Sequence, residues 1–110
     1  MKNIFLLFLV ISLVTGCSNP NEVTENLHVY GNCMMCEETI EGSLKGVEGI
    51  TVADWSWKTK QMILTFDSSK VSFAHIKEKI ATSGYDMEDV RAQDSVYSEL
   101  HRCCKYKRPE

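Results

Sequence analysis

The sequence predicts an α+β domain with the element order β-α-β-β-α-β, on three observations. Between Asn26 and Ala92, stretches whose apolar residues alternate are interleaved with two stretches whose apolar residues recur three and four apart. Glycines and short polar clusters fall at the joints between them. The chain of 110 residues is long enough for one small domain and no more.

Asn26-Leu27-His28-Val29-Tyr30 alternates, with Leu27 and Val29 on one face, and reads as the first strand. Gly31-Asn32 breaks it. From Cys36 to Val47 the apolar positions are Ile40, Leu44 and Val47, and Cys36 lies four before Ile40 on the same face of an amphipathic helix. Glu37, Glu38 and Glu41 sit in its first half, where the helix dipole favours acids, and Gly46 and Gly49 punctuate its end. Ile50 to Trp57 is strand-like, with Ala53, Trp55 and Trp57 sharing one face, which marks both tryptophans as core. Thr59-Lys60 is the expected tight connection, although it lacks the glycine that a primed turn prefers. Met62, Leu64 and Phe66 alternate in the next strand. Ser72 is placed to cap a second helix ending near Ser83, with Phe73, Ile76 and Ile80 on its inner stripe. Gly84 ends it. Tyr85 to Ala92 is the expected last strand, with poorer alternation than the others, and Asp94 opens a short tail helix. This order is the ferredoxin-like split βαβ arrangement: a four-stranded antiparallel sheet with two helices on one face. The predicted core is Leu27, Val29, Ile40, Leu44, Trp55, Leu64, Phe66, Ile76 and Ile80.

The N-terminus has another character. Lys2 precedes the nearly unbroken apolar run Ile4–Val14, and Val14-Thr15-Gly16 leads into Cys17. Residues 1–16 read as a secretory signal peptide, and Val14-Thr15-Gly16-Cys17 resembles a bacterial lipobox, which implies a lipid on Cys17. Residues 17–25 then read as a polar tether, 26–92 as the domain and 93–110 as a cysteine-containing tail. The expected place is the cell envelope, membrane-anchored, with the outer membrane and a periplasm-facing domain favoured because Ser18 follows the cysteine. Removing Lys2 with the signal leaves eleven basic against fifteen acidic side chains, a formal charge of −4, which argues against nucleic acid as a partner.

Chemistry concentrates in Gly31-Asn32-Cys33-Met34-Met35-Cys36. A C-x-x-C between a strand and a helix puts two soft sulfur ligands within reach of one ion. It also sets the second thiol in the first helical turn, where unpaired N–H groups favour thiolate. Thiolate binds Cu(I), Zn(II) or Hg(II), and a thiol–disulfide redox module would use the same physics. Against that alternative, Asn32 rather than an aromatic residue precedes the first cysteine, and the only prolines are Pro20 and Pro109. Cys103-Cys104, with His101 beside them, offers further ligands or disulfide partners. No Ser-His-Asp set, phosphate loop or paired-carboxylate signature is visible, so no enzyme is expected.

Gly31-x-Cys33-x-x-Cys36, followed by Glu37 and Ile40, Gly46-Val47, Phe66-Asp67 and Gly84-Tyr85-Asp86, resembles the heavy-metal-associated domains of copper chaperones and mercury-binding proteins. That resemblance implies an exposed site in which Cys33 and Cys36 hold one soft ion, Cu(I) first and Zn(II) or Hg(II) as alternatives. It further implies Tyr85 near the metal loop, and a metal-transport or efflux protein as partner of a monomeric, membrane-tethered carrier. Such domains often carry Met where this chain has Gly31, while Met34 and Met35 stand between the cysteines as further soft groups. Cys103 and Cys104 are possible auxiliary metal ligands if the tail folds back along the domain.

Overall fold

The computed structural model describes residues 19–110, so the signal-peptide and Cys17 lipidation readings lie outside the described residues. Strands β1 (Glu22–His28), β2 (Ile50–Trp55) and β3 (Gln61–Asp67) form one antiparallel sheet in the order β1-β3-β2. Helices α1 (Met34–Gly42) and α2 (Phe73–Thr82) follow β1 and β3, and a short α3 (Asp94–Ser98) and a 3-10 turn (Arg102–Cys104) complete the chain. In register, Leu27 pairs with Met62 and Val23 with Phe66, while Trp55 and Ala53 pair with Met62 and Leu64. Period-two alternation therefore delivers Leu27, Trp55, Met62, Leu64 and Phe66 to one face. Ile40, Leu44, Ile76 and Ile80 close over that face, and every predicted core residue except Trp57 is buried.

Local chemistry accounts for the joints. Ser72 caps α2, its hydroxyl accepting from the His75 amide at 3.1 Å. Between β2 and β3, Lys60 supplies the left-handed conformation (φ 62°) that a glycine would usually supply, which is how the connection closes without one. Its ammonium donates to the Trp57 carbonyl at 2.6 Å and to the Asn32 carbonyl at 3.3 Å, tying the turn to the cysteine loop.

Three expectations are corrected. The sheet has three strands rather than four: of Tyr85 to Ala92, only Met87 pairs, through an isolated bridge to Val29. Tyr85, Asp86 and Met87 are buried in succession, which a two-sided strand cannot do, and the Asp86 carboxylate captures the Ala92 amide at 2.7 Å, curling the segment into a loop. β1 begins at Glu22, inside the stretch read as tether, because Glu22 to Glu25 pair with Asp67 to Leu64. Trp57 is not core. β2 ends at Trp55, so the alternation stops before Trp57 and leaves its ring 40% exposed.

Candidate metal centre

β1 delivers the chain into a loop whose first residue, Gly31, is packed against the Trp55 indole. A Cβ there would stand 2.8 Å from the ring edge, so the tryptophan fills the room a side chain at 31 would take. The indole N–H donates to the Val29 carbonyl at 3.0 Å and fixes the ring. Cys33 is the N-cap of α1, with extended backbone (φ −146°, ψ −179°), and Cys36 falls in the first turn with its side chain fully buried.

The helix terminus acts on Cys33. The amides of Cys36 and Met35 hold its thiol below the ordinary cysteine value, outweighing the opposing effect of burial. Sequence reasoning assigned this influence to the second thiol. The geometry gives it to the first because an N-cap side chain, not one inside the first turn, faces the free N–H groups. The Cys36 sulfur instead receives the Asn32 amide at 3.4 Å.

The tail does fold back. Asn32 Nδ2 donates to the Cys103 carbonyl at 3.3 Å, and the Cys33 thiol to the same oxygen at 3.8 Å. Cys33, Cys103 and Cys104 thereby place their sulfurs within 4.8 Å of one another. The Cys103 thiol stands 3.3 Å from the Met35 sulfur and 3.2 Å from His101 Nδ1. Cys104 is buried. Its thiol is pushed up to about 12, first by burial and then by the neighbouring Cys36 thiol. Among the described residues, Cys33, Cys36, Cys103 and Cys104 are all unbridged.

What holds the tail is a buried clasp. Asp86 is fully buried and is bound by Arg108 through two bonds, Nε–Oδ2 at 2.7 Å and Nη2–Oδ1 at 2.9 Å. The same guanidinium reaches Asp94 and the Ala92 carbonyl, both at 2.6 Å, and lies over the Tyr97 ring. The Tyr106 hydroxyl donates to the Gly84 carbonyl at 2.9 Å and accepts from the Asp86 amide at 2.8 Å. Sequence reasoning missed this clasp. Its signal was the alternation Cys104-x-Tyr106-x-Arg108, which turns three side chains inward while Lys105 stays exposed.

Tyr85 stands beside the Cys104 and Cys36 thiols. It is fully buried, and its hydroxyl makes no well-formed hydrogen bond among the described residues. Burial, then the Cys104 and Cys36 thiols beside it, push its pKa up, so it keeps its proton and remains a donor. Outside the thiols, an open cavity of about 530 Å³ is lined by Asn32, Cys33, Met34, Met35, Glu38, Trp57 and Cys103. Met34 is 67% exposed. Glu37, Glu41 and Asp54 form a separate carboxylate group. Burial and then the Glu37 and Asp54 charges raise Glu41 there. Soft donors therefore gather at the loop, and hard ones stand apart from them.

No family model matches the chain. It is 31% identical over 86 residues to the mercuric transport protein periplasmic component of Shewanella putrefaciens, covering 77% of this chain and 93% of that protein. It is 34% identical over 64 residues to the copper chaperone CopZ of Staphylococcus aureus, covering 57% of this chain and 94% of that one. Among solved structures, a CopZ metallochaperone superposes with a TM-score of 0.56 at 33% identity, covering 59% of this chain and 98% of that chain.

Proposed function

Because the chain belongs to the heavy-metal-associated family of copper-chaperone and mercury-binding domains, we propose that it binds one soft metal ion, Cu(I) before Hg(II) or Zn(II), on the thiolates of Cys33 and Cys36, and hands it on or sequesters it. The observation that carries the reading is the loop itself. One thiol at the N-cap has a lowered pKa and stands at the surface cavity, and a second lies one helical turn on, in a chain of this family. Two thiolates match a soft monovalent ion in donor type and hold it in a complex of net negative charge, and leave it reachable from the Cys33 side.

Transfer follows by ligand exchange. An incoming thiolate of a metal-transport or efflux protein enters through the cavity and bonds the ion beside Cys33 before either domain thiolate leaves. Each sulfur that lets go takes a proton, and no electron moves. The exposed thioether of Met34 and the Trp57 ring form an apolar rim there, and Glu38 lends it negative charge. This is a carrier's chemistry, without a reacting substrate bond. We place the carrier in the cell envelope, tethered through a lipid on Cys17, with the outer membrane as the favoured site.

Competitive titration of the reduced protein with Cu(I), Zn(II) and Hg(II) tests the reading. Wild type should take one Cu(I) most tightly, and Cys33→Ser/Cys36→Ser should lose orders of magnitude in affinity because both loop thiolates are gone. Wild-type affinity in that double variant would refute it.

A further inference from the structure

Among the described residues, one thiol cluster joins a single member of the C-x-x-C pair to both tail cysteines. The sulfurs of Cys33, Cys103 and Cys104 lie within 4.8 Å of one another, while the Cys36 sulfur, which neighbours Cys33 and Cys104, does not lie that close to all three and takes the Asn32 amide. Sulfurs bound at about 2.3 Å to one trigonal ion stand about 4.0 Å apart. Cys103 and Cys104 are already at 4.0 Å. A fourth soft atom, the Met35 sulfur, stands 3.3 Å from Cys103.

A second observation points the same way. The Tyr85 hydroxyl is fully buried beside the Cys104 and Cys36 thiols and makes no well-formed hydrogen bond among the described residues. A buried O–H left unmatched is costly, and a metal-bound thiolate at that spot is the acceptor it lacks. The tail thiols are also not there by chance excursion, since the Asp86–Arg108 ion pair and the Tyr106 hydroxyl pin the segment that carries them.

We propose that the tail converts the loop into a three-thiolate holding site. At rest the soft ion is bound by Cys33, Cys103 and Cys104, and Cys33 alone is shared with the Cys33–Cys36 pair through which the ion leaves. The inference rests on the soft-metal reading above and deepens it. To pass from holding to exchange, the ion keeps its bond to Cys33, forms one to Cys36 and breaks those to Cys103 and Cys104. The two freed tail sulfurs take up protons, Cys36 gives one up, and the ion's charge is unchanged. The tail thus occupies the place of an incoming partner thiolate, so release requires the tail to move aside.

The test loads the reduced full chain with one equivalent of Cu(I). Sulfur coordination is then read by X-ray absorption, and the rate of loss to a chromogenic Cu(I) chelator is followed. Wild type should show three sulfurs. Cys103→Ser/Cys104→Ser should still bind one ion, now with two sulfurs, and surrender it at least about tenfold faster, since affinity differences reside mainly in dissociation. Cys36→Ser should keep three sulfurs and, lacking the pair through which the ion leaves, release Cu(I) more slowly than wild type. Cys103→Ser alone, at an exposed side chain, repeats the tail test without touching the core. Two sulfurs in wild type, with unchanged release in the tail variants, would overturn the inference and leave the Cys33–Cys36 reading standing. Failure of the double tail variant to bind Cu(I) at all would instead overturn that pair as the exchange site, and the two-set arrangement with it.

Discussion

Arg108→Ala tests the clasp on which the position of the tail depends. The substitution removes both bonds to a fully buried carboxylate, together with those to Asp94 and the Ala92 carbonyl. Stripping one partner from a buried ion pair costs about 3–5 kcal/mol. Here the low end applies: Asp86 retains the Ala92 amide, and the tail is terminal, so it can lift and let water reach the carboxylate. A loss of about 3 kcal/mol corresponds to a fall in Tm of roughly 12–24 °C for a domain of this size. The change should therefore appear in two assays at once. Thermal unfolding shifts down by that margin, and the buried Cys104, shielded in wild type, alkylates faster at temperatures where the sheet remains folded. The double variant Asp86→Asn/Arg108→Ala should be more stable than Arg108→Ala alone, because no buried charge is left unpaired. A change in stability under about 0.5 kcal/mol for Arg108→Ala, the range of an ordinary surface substitution, would refute the clasp.

Three further outcomes follow from the same geometry. Burial opposes ionisation of Asp86, but Arg108, the Ala92 amide and the Tyr106 hydroxyl outweigh it and hold the carboxyl below its ordinary value of 3.8. A lowered folded pKa stabilises fully above that ordinary value, and the contribution is lost as pH falls through the folded one. Tail protection of Cys104 should thus be flat from pH 7 to about 5 and collapse below about 4, with Asp86→Asn showing weaker protection at neutral pH and no such step. Gly31→Ala would drive a Cβ to 2.8 Å from the Trp55 ring, and overpacking of that kind costs about 1–3 kcal/mol. Urea unfolding should show it, and an unchanged midpoint would mean that the indole yields freely. Labelled fatty acid should enter wild type and not Cys17→Ser, and equal labelling would remove the lipid anchor from the reading.

How far the sequence carried the structure depended on whether a signal was local. The first three strands, both main helices and the whole predicted core followed from periodicity, because Leu27, Trp55, Leu64 and Phe66 on the sheet and Ile40, Ile76 and Ile80 on the helices face one interior. Lys60 shows a local rule met by an unexpected residue, a lysine in the conformation where glycine is expected. Trp57 misled for a local reason too: its alternation with Trp55 is real, but the strand ends between them. The fourth strand failed for a reason no window around Tyr85 contains. The Asp86 carboxylate is committed to Arg108, 22 positions later in the chain, and its backbone amide to the Tyr106 hydroxyl, so that donor is taken from any ladder.

That failure and the thiol cluster have one cause. A fourth strand spanning Tyr85 to Ala92 would carry the chain to the far end of the sheet, leaving the tail cysteines a strand's length from the loop. Replacing it with a loop closed on Asp86 keeps residues 84–94 near the end of the sheet from which α1 starts, as the Tyr30 amide to Asp86 carbonyl bond of 2.9 Å records. From there α3 and the 3-10 turn bring Cys103 and Cys104 back to Cys33 within a few residues. The departure from the expected sheet is therefore what delivers the second pair of thiols. A variant that restores strand character, Asp86→Val with Arg108→Ala, should separate the two pairs. Measured as the yield of crosslinking between Cys33 and Cys103 by a short dithiol-reactive reagent, it should fall to background while helix and sheet content remain. Undiminished crosslinking would show that the tail finds the loop without the Asp86 turn, and would break the link between the missing strand and the site.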